Sequence, residues 1–324
     1  MRALVTGAAG FIGSHLVEQL LADGHQVVGL DDLSTGRRLN LPVEHPDLRF
    51  VRGSILDAGL VDEVMAGADV VFHLAAAVGA FVIQDRTREA MLTNVHGTEN
   101  VLDAALRHGT RALIASTSEI YGKNTKVGLV EGDDRIIGSP LKSRWTYAEA
   151  KAIDESLTCS YVRELGLRAV IVRLFNTVGP RQSGRYGMVI PRMVGQALQG
   201  RPLTIFGTGR QIRCFCHVAD VVPALVRLVL LDRAQGMAVN LGSTEQVSIE
   251  DLAARIIATT GSPSSTIQVP YEEAYGPGYE DMQRRVPDCS RARELIGFRP
   301  QRSLDDIIRA VVDEQARSGE PATA

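Results

Sequence analysis

Residues 1–21 read MRALVTGAAGFIGSHLVEQLL, a short apolar stretch followed by a glycine-containing loop and a helical stretch. Gly7, Gly10 and Gly13 allow a tight turn in that loop and let the backbone approach a pyrophosphate at the N-terminus of the helix. The second predicted strand ends at Asp31, about 20 residues further on, which is the context that a dinucleotide-binding motif requires. The opening stretch therefore predicts a strand–loop–helix unit that binds a dinucleotide.

The identity of the dinucleotide depends on Asp31. A carboxylate at this place accepts hydrogen bonds from the ribose hydroxyls of adenosine and repels a 2′-phosphate, so NAD is favoured over NADP. Arg37 and Arg38 lie close by in the sequence and leave NADP as an alternative. The predicted cofactor site also includes Phe11 and Ile12, which lie between the second and third glycines.

Short apolar stretches alternate with helical stretches through the first half of the chain. The predicted strands are Arg2–Thr6, Gln26–Leu30, Arg49–Arg52, Val70–Leu74, Ala112–Thr117 and Ala169–Leu174, and the predicted helices are Ile12–Asp23, Gly59–Met65, Arg86–His108, Trp145–Glu164 and Met188–Gln199. Near-continuous apolar strands separated by helices indicate a parallel sheet that is covered on both faces. We therefore expect an α/β fold of the Rossmann type, a doubly wound parallel sheet with a smaller C-terminal substrate-binding lobe.

The elements become shorter beyond Gly179, which suggests where that lobe begins. The predicted elements there are strands at Leu203–Phe206 and Ala238–Leu241 and helices at Asp220–Leu231, Ile249–Thr259 and Leu304–Gln315. We expect a cofactor-binding domain at 1–179 and a mainly substrate-binding lobe at 180–316, some of whose elements return to the sheet. Residues 317–324 are predicted to form a flexible tail.

Composition excludes several classes of partner. The chain has 324 residues with a net charge of -3 and a pI near 6.2, so no overall basic field would gather nucleic acid or anionic lipid. No apolar run approaches the roughly 18 residues of a membrane span. Four scattered cysteines do not suggest a disulfide framework, and no cluster of metal ligands is apparent. We expect a cytoplasmic protein without a metal ion, a nucleic-acid partner or a membrane partner.

Further stretches extend the opening motif. They are His73-Leu74-Ala75-Ala76, Thr93-Asn94-Val95, Ser116-Thr117-Ser118-Glu119 and Tyr147-x-x-x-Lys151. With the TGxxGxxG spacing of the opening, they resemble the extended short-chain dehydrogenases, the group of nucleotide-sugar epimerases, dehydratases and decarboxylases, over residues 1 to 316. The resemblance implies that NAD is the cofactor and that a UDP-sugar is the substrate. It also implies that Leu74, Ala75 and Ala76 pass the cofactor and that Asn94 supports the backbone of the active site. One departure is Ser54, where the family usually has an aspartate facing the adenine.

Tyr147 and Lys151 are four residues apart on a predicted helix, so their side chains lie on the same face. A free tyrosine has a pKa near 10 and is a poor base at neutral pH. We expect the lysine ammonium, together with the positive nicotinamide ring of oxidised NAD, to lower the pKa of Tyr147. Tyr147 then removes the proton of a sugar hydroxyl, to which Thr117 also forms a hydrogen bond.

The reaction that follows oxidation depends on other residues. A 4-keto sugar can be reduced again on its other face, lose water, or lose a C5 carboxylate. The resemblance to the UDP-glucuronate decarboxylases rests on Glu119, on Arg144 three residues before the tyrosine, and on Arg285 in the stretch Gly278–Pro287. These residues favour decarboxylation of UDP-glucuronate. A UDP-sugar 4-epimerase and an NDP-sugar 4,6-dehydratase remain as alternatives, and a non-catalytic dinucleotide-binding regulator is disfavoured because both Tyr147 and Lys151 are present.

The resemblance also assigns the substrate site and the assembly. Asn176 resembles the residue that holds diphosphate or sugar oxygens, and Arg213 the residue that grips the diphosphate, a role that the planar fork of arginine suits. Ser118, Arg144 and Arg285 complete the predicted substrate contacts. A homodimer through the two long helices, Arg86–His108 and Trp145–Glu164, is the corresponding expectation for the assembly.

Overall fold

The computed structural model describes residues 1–79, 86–184, 187–276 and 279–318. The strands are β1 (Arg2–Thr6), β2 (Gln26–Asp31), β3 (Leu48–Arg52), β4 (Val70–His73), β5 (Arg111–Thr117), β6 (Ala169–Leu174), β7 (Thr177–Val178), β8 (Leu203–Phe206), β9 (Ile212–Cys214), β10 (Cys216–His217), β11 (Ala238–Leu241), β12 (Gln246–Ser248) and β13 (Thr266–Val269). The α-helices are α1 (Phe11–Ala22), α2 (Ala58–Met65), α3 (Thr87–His108), α4 (Thr146–Leu165), α5 (Val189–Leu198), α6 (Val218–Leu230), α7 (Ile249–Thr260), α8 (Tyr271–Tyr275), α9 (Ser290–Ile296) and α10 (Leu304–Ser318).

Seven parallel strands form the central sheet, in the order β3-β2-β1-β4-β5-β6-β11. β1 pairs with β2 on one side and with β4 on the other, so the direction in which strands are added reverses at β1. In open parallel sheets, ligands bind beyond the carboxyl ends of the strands at such a switch point. The loops after β1 and β4 meet there, which confirms the predicted doubly wound α/β fold and places its ligand crevice.

Alternating side chains of the strands supply two hydrophobic cores, one on each face of the sheet. Ala3 and Val5 of β1 face the core that α1 and α6 cover. Leu4, between them, faces the opposite core, which receives side chains from α2 and α3. The near-continuous apolar strands of the sequence are thus explained by burial on both faces.

A smaller lobe stands at one end of the sheet, built from α5, α7, α10 and the strand pair β8–β13. Its own core joins side chains that include Ile190, Leu252 and Ile307. In the chain, β11 comes after α5 and β8, which belong to this lobe. It nevertheless pairs with β6 in the central sheet. The lobe is therefore interleaved with the sheet along the chain.

The predicted strands β1, β6, β8 and β11 agree with the structure to the residue, while other bounds differ for local reasons. β4 stops at His73, one residue earlier than predicted. α6 begins at Val218 because Nδ1 of His217 accepts the N–H of Ala219 and caps the helix early. α10 continues to Ser318, beyond its predicted end at Gln315. Residues 319–324 of the predicted tail, and Gly278 of the quoted arginine-containing stretch, lie outside the described residues.

Within the described residues, no helix combines the length and the apolar character needed to cross a membrane. The same residues contain no group of three or more His, Cys, Asp or Glu side chains arranged to hold a metal ion.

Candidate active site

The loop between β1 and α1 is packed too closely to accept side chains at two of its glycines. Gly7 has φ +70°, and a Cβ there would lie 2.8 Å from the amide nitrogen of Ala75. A Cβ at Gly13 would lie 2.0 Å from the carbonyl oxygen of Gly7. Gly10, the residue before α1, offers no side-chain cap, which leaves the first N–H groups of the helix for another acceptor. The loop and the helix N-terminus therefore fit a pyrophosphate.

Asp31 lies directly beside this loop, at the end of β2. Its Oδ2 accepts the N–H of Ala9 at 2.9 Å and its Oδ1 accepts the N–H of Leu33 at 2.8 Å. Burial raises the pKa of Asp31, and the two backbone donors partly offset this effect. The bonds fix the carboxylate against the glycine loop, and its remaining lone pairs can accept from ribose hydroxyls.

A chain of hydrogen bonds joins β1 to the end of β4. The N–H of Ala75 donates to Oγ1 of Thr6 at 3.2 Å, and this hydroxyl lies 2.9 Å from Nδ1 of His73. Nε2 of His73 lies 3.1 Å from Oγ1 of Thr98 on α3. Burial lowers the pKa of His73 to about 3. His73 is thus a neutral, hydrogen-bonded residue that ties the cofactor-side loops together.

Asn94 of α3 holds the backbone that follows the Leu74–Ala76 segment. Its Oδ1 accepts the N–H of Ala77 at 2.8 Å, and its Nδ2 donates to the carbonyl of the same residue at 3.2 Å. Leu74, Ala75 and Ala76 are partly exposed, in contrast to the buried strand β4 before them. The structure thus brings the predicted cofactor residues of β1, β2 and β4 to one crevice.

Tyr147 and Lys151 lie one turn apart near the start of α4 and are almost fully buried, with 9% and 2% of their surfaces exposed. Nζ of Lys151 donates to Oδ2 of Asp154 at 3.0 Å. Burial raises the pKa of Tyr147, and the carboxylates of Glu119 and Asp154 add to this effect. The positive charge of Arg285 acts in the opposite direction.

Without a bound cofactor the pKa of Tyr147 therefore lies above its ordinary value. The expectation of a lowered pKa concerns Lys151 acting together with oxidised NAD, and it stays a prediction. Spacing on a helix predicts which side chains are neighbours, but it contains no information about burial, which dominates here. The ammonium of Lys151 is also paired with a carboxylate that the spacing argument did not include. The lowering that catalysis needs must come from a further positive charge, such as the oxidised nicotinamide ring.

Next to Tyr147, the carboxylate of Glu119 lies between two arginines. Nη1 of Arg144 donates to its Oε2 at 2.7 Å, and Nη2 of Arg285 lies 3.5 Å from its Oε1. Both guanidinium groups come from segments far away in the sequence, one preceding α4 and the other following α8. The structure thus brings together the three residues on which the predicted decarboxylation depends.

The charges in this cluster shift one another strongly. Burial alone would favour the neutral acid, but Arg144, Arg285 and Arg213 together lower the pKa of Glu119 to about 2. Burial, opposed by Glu119 and reinforced by the other two arginines, lowers the pKa of Arg285 to about 10. Arg285 is consequently a better proton donor than an arginine in water.

Arg213, the predicted diphosphate ligand, is held by a carboxylate that sequence reasoning missed. Its Nη2 donates to Oδ2 of Asp281 at 2.8 Å, and the hydroxyl of Tyr271 donates to the same oxygen at 3.0 Å. Oδ1 of Asp281 also lies 3.8 Å from Nη2 of Arg144. Asp281 therefore connects the two arginines, although its only sequence signal is its position four residues before Arg285.

Asn176, Ser118 and Thr117 complete the site around Arg285. Nη1 of Arg285 donates to Oδ1 of Asn176 at 3.2 Å and lies 3.5 Å from Oγ of Ser118. Nδ2 of Asn176 donates to the carbonyl of Cys214 at 2.8 Å. Oγ1 of Thr117, at the end of β5, accepts the N–H of Glu119 at 3.2 Å. The same hydroxyl can also donate a hydrogen bond to a substrate oxygen.

One cleft contains this cluster and opens toward the C-terminal lobe. Glu119, Arg144, Tyr147, Asn176, Arg213 and Arg285 all line it. Aromatic rings also line it: Tyr275 and Tyr279, which sequence reasoning did not assign, stack with their ring centroids 4.1 Å apart, and Phe206 meets Tyr275 edge to face at 5.2 Å. The cleft thus offers an anion-binding end beside the tyrosine and an aromatic end beneath the lobe.

Proteins that are named for an activity are similar to this chain in sequence or in structure. UDP-N-acetyl-alpha-D-glucosaminuronate decarboxylase from Bacillus cytotoxicus is 39% identical over 312 residues, which cover 96% of each chain. UDP-glucuronic acid decarboxylase 2 from Arabidopsis thaliana is 35% identical over 307 residues, which cover 94% of this chain and 66% of that protein. Among solved structures, a mutant UDP-glucuronic acid 4-epimerase from Bacillus cereus, in complex with UDP-4-deoxy-4-fluoro-glucuronic acid and NAD, aligns with a TM-score of 0.87. The two sequences are 29% identical, and the alignment covers 98% of this chain and 100% of the other.

The family assignment follows from the extent of the match. A model of the family described as "NAD dependent epimerase/dehydratase family" matches residues 3–242, which include the glycine loop, the tyrosine helix and the central sheet except Arg2 at the start of β1. This confirms the resemblance to the extended short-chain dehydrogenases and NAD as the cofactor. The chain belongs to the NAD-dependent epimerase/dehydratase family.

Proposed function

We propose that this enzyme is an NAD-dependent decarboxylase of a UDP-linked uronic acid and that it acts through a transient 4-keto sugar. The observation that carries the proposal is the position of Glu119 between Arg144 and Arg285, beside Tyr147. Arginine forks suit a substrate that carries both a diphosphate and a carboxylate. The similarity to two decarboxylases of UDP-linked uronic acids supports the same reading.

The first step is oxidation at C4 of the sugar. The phenolate of Tyr147 takes the proton of the C4 hydroxyl, while Thr117 donates a hydrogen bond to the same oxygen. Bound NAD would supply the acceptor for the hydride of C4 and the donor for the later reduction. Gly7, Gly10 and Gly13, with Asp31, would hold that cofactor, and Lys151 would orient it next to Tyr147.

The second step is loss of the carboxylate. The C4 carbonyl is β to the carboxylate on C5, so when the C5–C6 bond breaks its electron pair passes into that carbonyl as an enolate and CO₂ leaves. Arg144 would hold the carboxylate, and Arg285 would stabilise the enolate or give a proton to C5. The lowered pKa of Arg285, about 10, suits that role better than the usual value.

Glu119 is not free to act as a simple acid in this scheme. With its pKa lowered to about 2, it stays ionised at neutral pH. We assign to it the orientation of the two arginines and of the sugar ring, and the relay of a proton through a hydroxyl or water. Asn176, Ser118 and Arg213 would bind the sugar and the diphosphate.

The proposal is tested by product analysis. The enzyme and NAD are incubated separately with UDP-glucuronate, with UDP-N-acetylglucosaminuronate and with UDP-glucose, and the products are read by NMR together with CO₂ release. Release of CO₂ from a uronate, with UDP-xylose, its 4-keto precursor or the 2-acetamido counterpart as product, is the expected result. The second uronate is included because a relative that is 39% identical is named for it.

Two other outcomes would replace the proposal. If the C4 epimer of the uronate appears with its carboxylate intact, the chain is a 4-epimerase, as is one of its structural relatives. If only neutral UDP-hexoses react, by epimerisation or by loss of water, the carboxylate-binding role of Arg144 fails.

We propose further that the enzyme is a cytoplasmic homodimer that assembles through α3 and α4. Ile153 on α4 is 41% exposed, and an assembly through this helix would cover its side chain. The four cysteines are free thiols, as expected in a reducing compartment. Light scattering of the unmodified protein and of Ile153→Glu tests the assembly, because a dimer that uses this face should dissociate in the variant.

A further inference from the structure

A buried carboxylate lies directly behind the catalytic pair, and the mechanism above gives it no role. Asp154 is one turn after Lys151 on α4 and has none of its surface exposed (0%). Its Oδ2 accepts from Nζ of Lys151 at 3.0 Å. Burial raises the pKa of Asp154, and side-chain hydrogen bonds from Lys151 and Thr98 act in the opposite direction. A fully buried carboxylate is costly even when it is paired, so its presence beside the reacting groups calls for an explanation.

The other acidic residue of this turn is explained by structure alone. Oε1 of Glu155 accepts from Oγ of Ser116 at 2.5 Å and from Nε of Arg173 at 2.9 Å. Oε2 of the same carboxylate accepts from Nη2 of Arg173 at 2.7 Å. Glu155 thus joins α4 to β5 and β6 with both of its oxygens satisfied. Asp154 forms no comparable link to the sheet.

We propose that Asp154 is a positioning residue that neutralises the ammonium of Lys151 behind Tyr147, so that formation of the phenolate depends on the positive charge of bound oxidised NAD. This inference rests on the proposed role of Tyr147 as the base. A paired ammonium and carboxylate have fields that largely cancel at a third group nearby. The lysine can then hold its place without activating the tyrosine in the empty site.

The other charged groups around Tyr147 agree with this account. Glu119, from the turn after β5, raises the pKa of Tyr147, and Arg285, from the segment after α8, lowers it. Asp154 raises it from within α4. His73, which faces Lys151 from β4, stays neutral above about pH 3 and contributes no charge. Lys151, one turn from Tyr147 on α4, is thus already paired with Asp154.

The test replaces the carboxylate by its neutral near-isostere, Asp154→Asn. The NAD complex of the protein is titrated by the ultraviolet absorbance of phenolate, and the same titration of Tyr147→Phe is subtracted to isolate Tyr147. We expect the midpoint for Tyr147 to fall by about one pH unit in Asp154→Asn, the lower end of the shift that a neighbouring charge causes. An unchanged midpoint overturns the inference. A higher midpoint also overturns it, because Asp154 would then serve to keep Lys151 charged for the benefit of the tyrosine.

A matched control is available on the same helix. Glu149 is two residues from Tyr147, but its side chain is 40% exposed and pairs with Arg135 on the outer surface. Glu149→Gln removes the same charge and should leave the midpoint unchanged. If Asp154→Asn does not fold, Asp154→Ala takes its place with the same expected direction.

A kinetic arm separates this inference from the proposed function. The acidic limb of kcat against pH should move to lower pH in Asp154→Asn by a similar amount, while the rate on the plateau changes less than about threefold. If Tyr147→Phe is fully active, the role of Tyr147 as the base fails, whereas the absorbance titration still measures the effect of Asp154. If Tyr147→Phe is inactive and the midpoint does not move, only the inference about Asp154 fails.

Discussion

Arg144 donates to Glu119 across 2.7 Å, from a residue that precedes α4 to one that follows β5. The pair is largely buried, with 10% and 21% of the two side chains exposed. A buried carboxylate held in this way stabilises the folded protein only while it is ionised. The pair therefore links the stability of the active site to pH.

The sign of that link is fixed by the pKa of Glu119, which falls from an ordinary 4.5 to about 2 on folding. The stabilisation is fully present above about pH 4.5 and is lost as the pH falls toward 2. We expect the free energy of unfolding, measured with urea, to fall more steeply over this window in the unmodified protein than in Glu119→Gln. Equal slopes would show that the carboxylate is not held by the arginines in solution.

Tyr147→Phe should abolish turnover because it removes only the phenolic oxygen that exchanges the proton. General acid–base catalysis is worth about 10²–10⁴ in rate, so the loss should be at least of this size. Calorimetry should show NAD and UDP still bound with nearly unchanged affinity, since the ring remains in place. Full activity in this variant would remove the basis of the mechanism.

Asp31→Asn should reduce the preference for NAD over NADP. The amide can keep an acceptor for the N–H of Ala9 or Leu33, so the glycine loop should survive, while the repulsion of a 2′-phosphate is lost. Fluorescence titrations with NADH and NADPH measure the ratio of the two dissociation constants. The ratio should fall by tenfold or more, and an unmodified protein that binds both equally would contradict this role of Asp31.

Gly13→Ala should prevent cofactor binding. The added methyl would lie 2.0 Å from the carbonyl oxygen of Gly7, so the loop must open to accept it. Gly132→Ala is the matched control, because a Cβ at Gly132 meets nothing within 4 Å. Calorimetric titration with NAD should show no binding to the first variant and normal binding to the second, and comparable affinities would mean that the loop is more adaptable than its packing indicates.

The parts of this protein that the sequence predicted well are those fixed by local patterns. The TGxxGxxG motif and each apolar strand are patterns of a few neighbouring residues. They led to the correct prediction of the sheet and of the cofactor. Asp281 escaped notice because its importance arises from contact with Arg213, 68 residues away in the chain. The burial that raises the pKa of Tyr147 in the absence of a cofactor could not be predicted from the spacing of Tyr147 and Lys151, since the depth of burial is a tertiary property.

The pairing of β11 with β6 has a consequence for biosynthesis. As the chain leaves the ribosome, β6 is complete at Leu174, but its hydrogen-bonding partner ends only at Leu241. Until β11 has been synthesised, β6 is an edge strand of the nascent sheet. Its unpaired backbone groups could then pair with a strand of another molecule. Folding that requires such a distant contact is slow, so newly made chains should depend on chaperones most strongly while residues 175–241 are being synthesised.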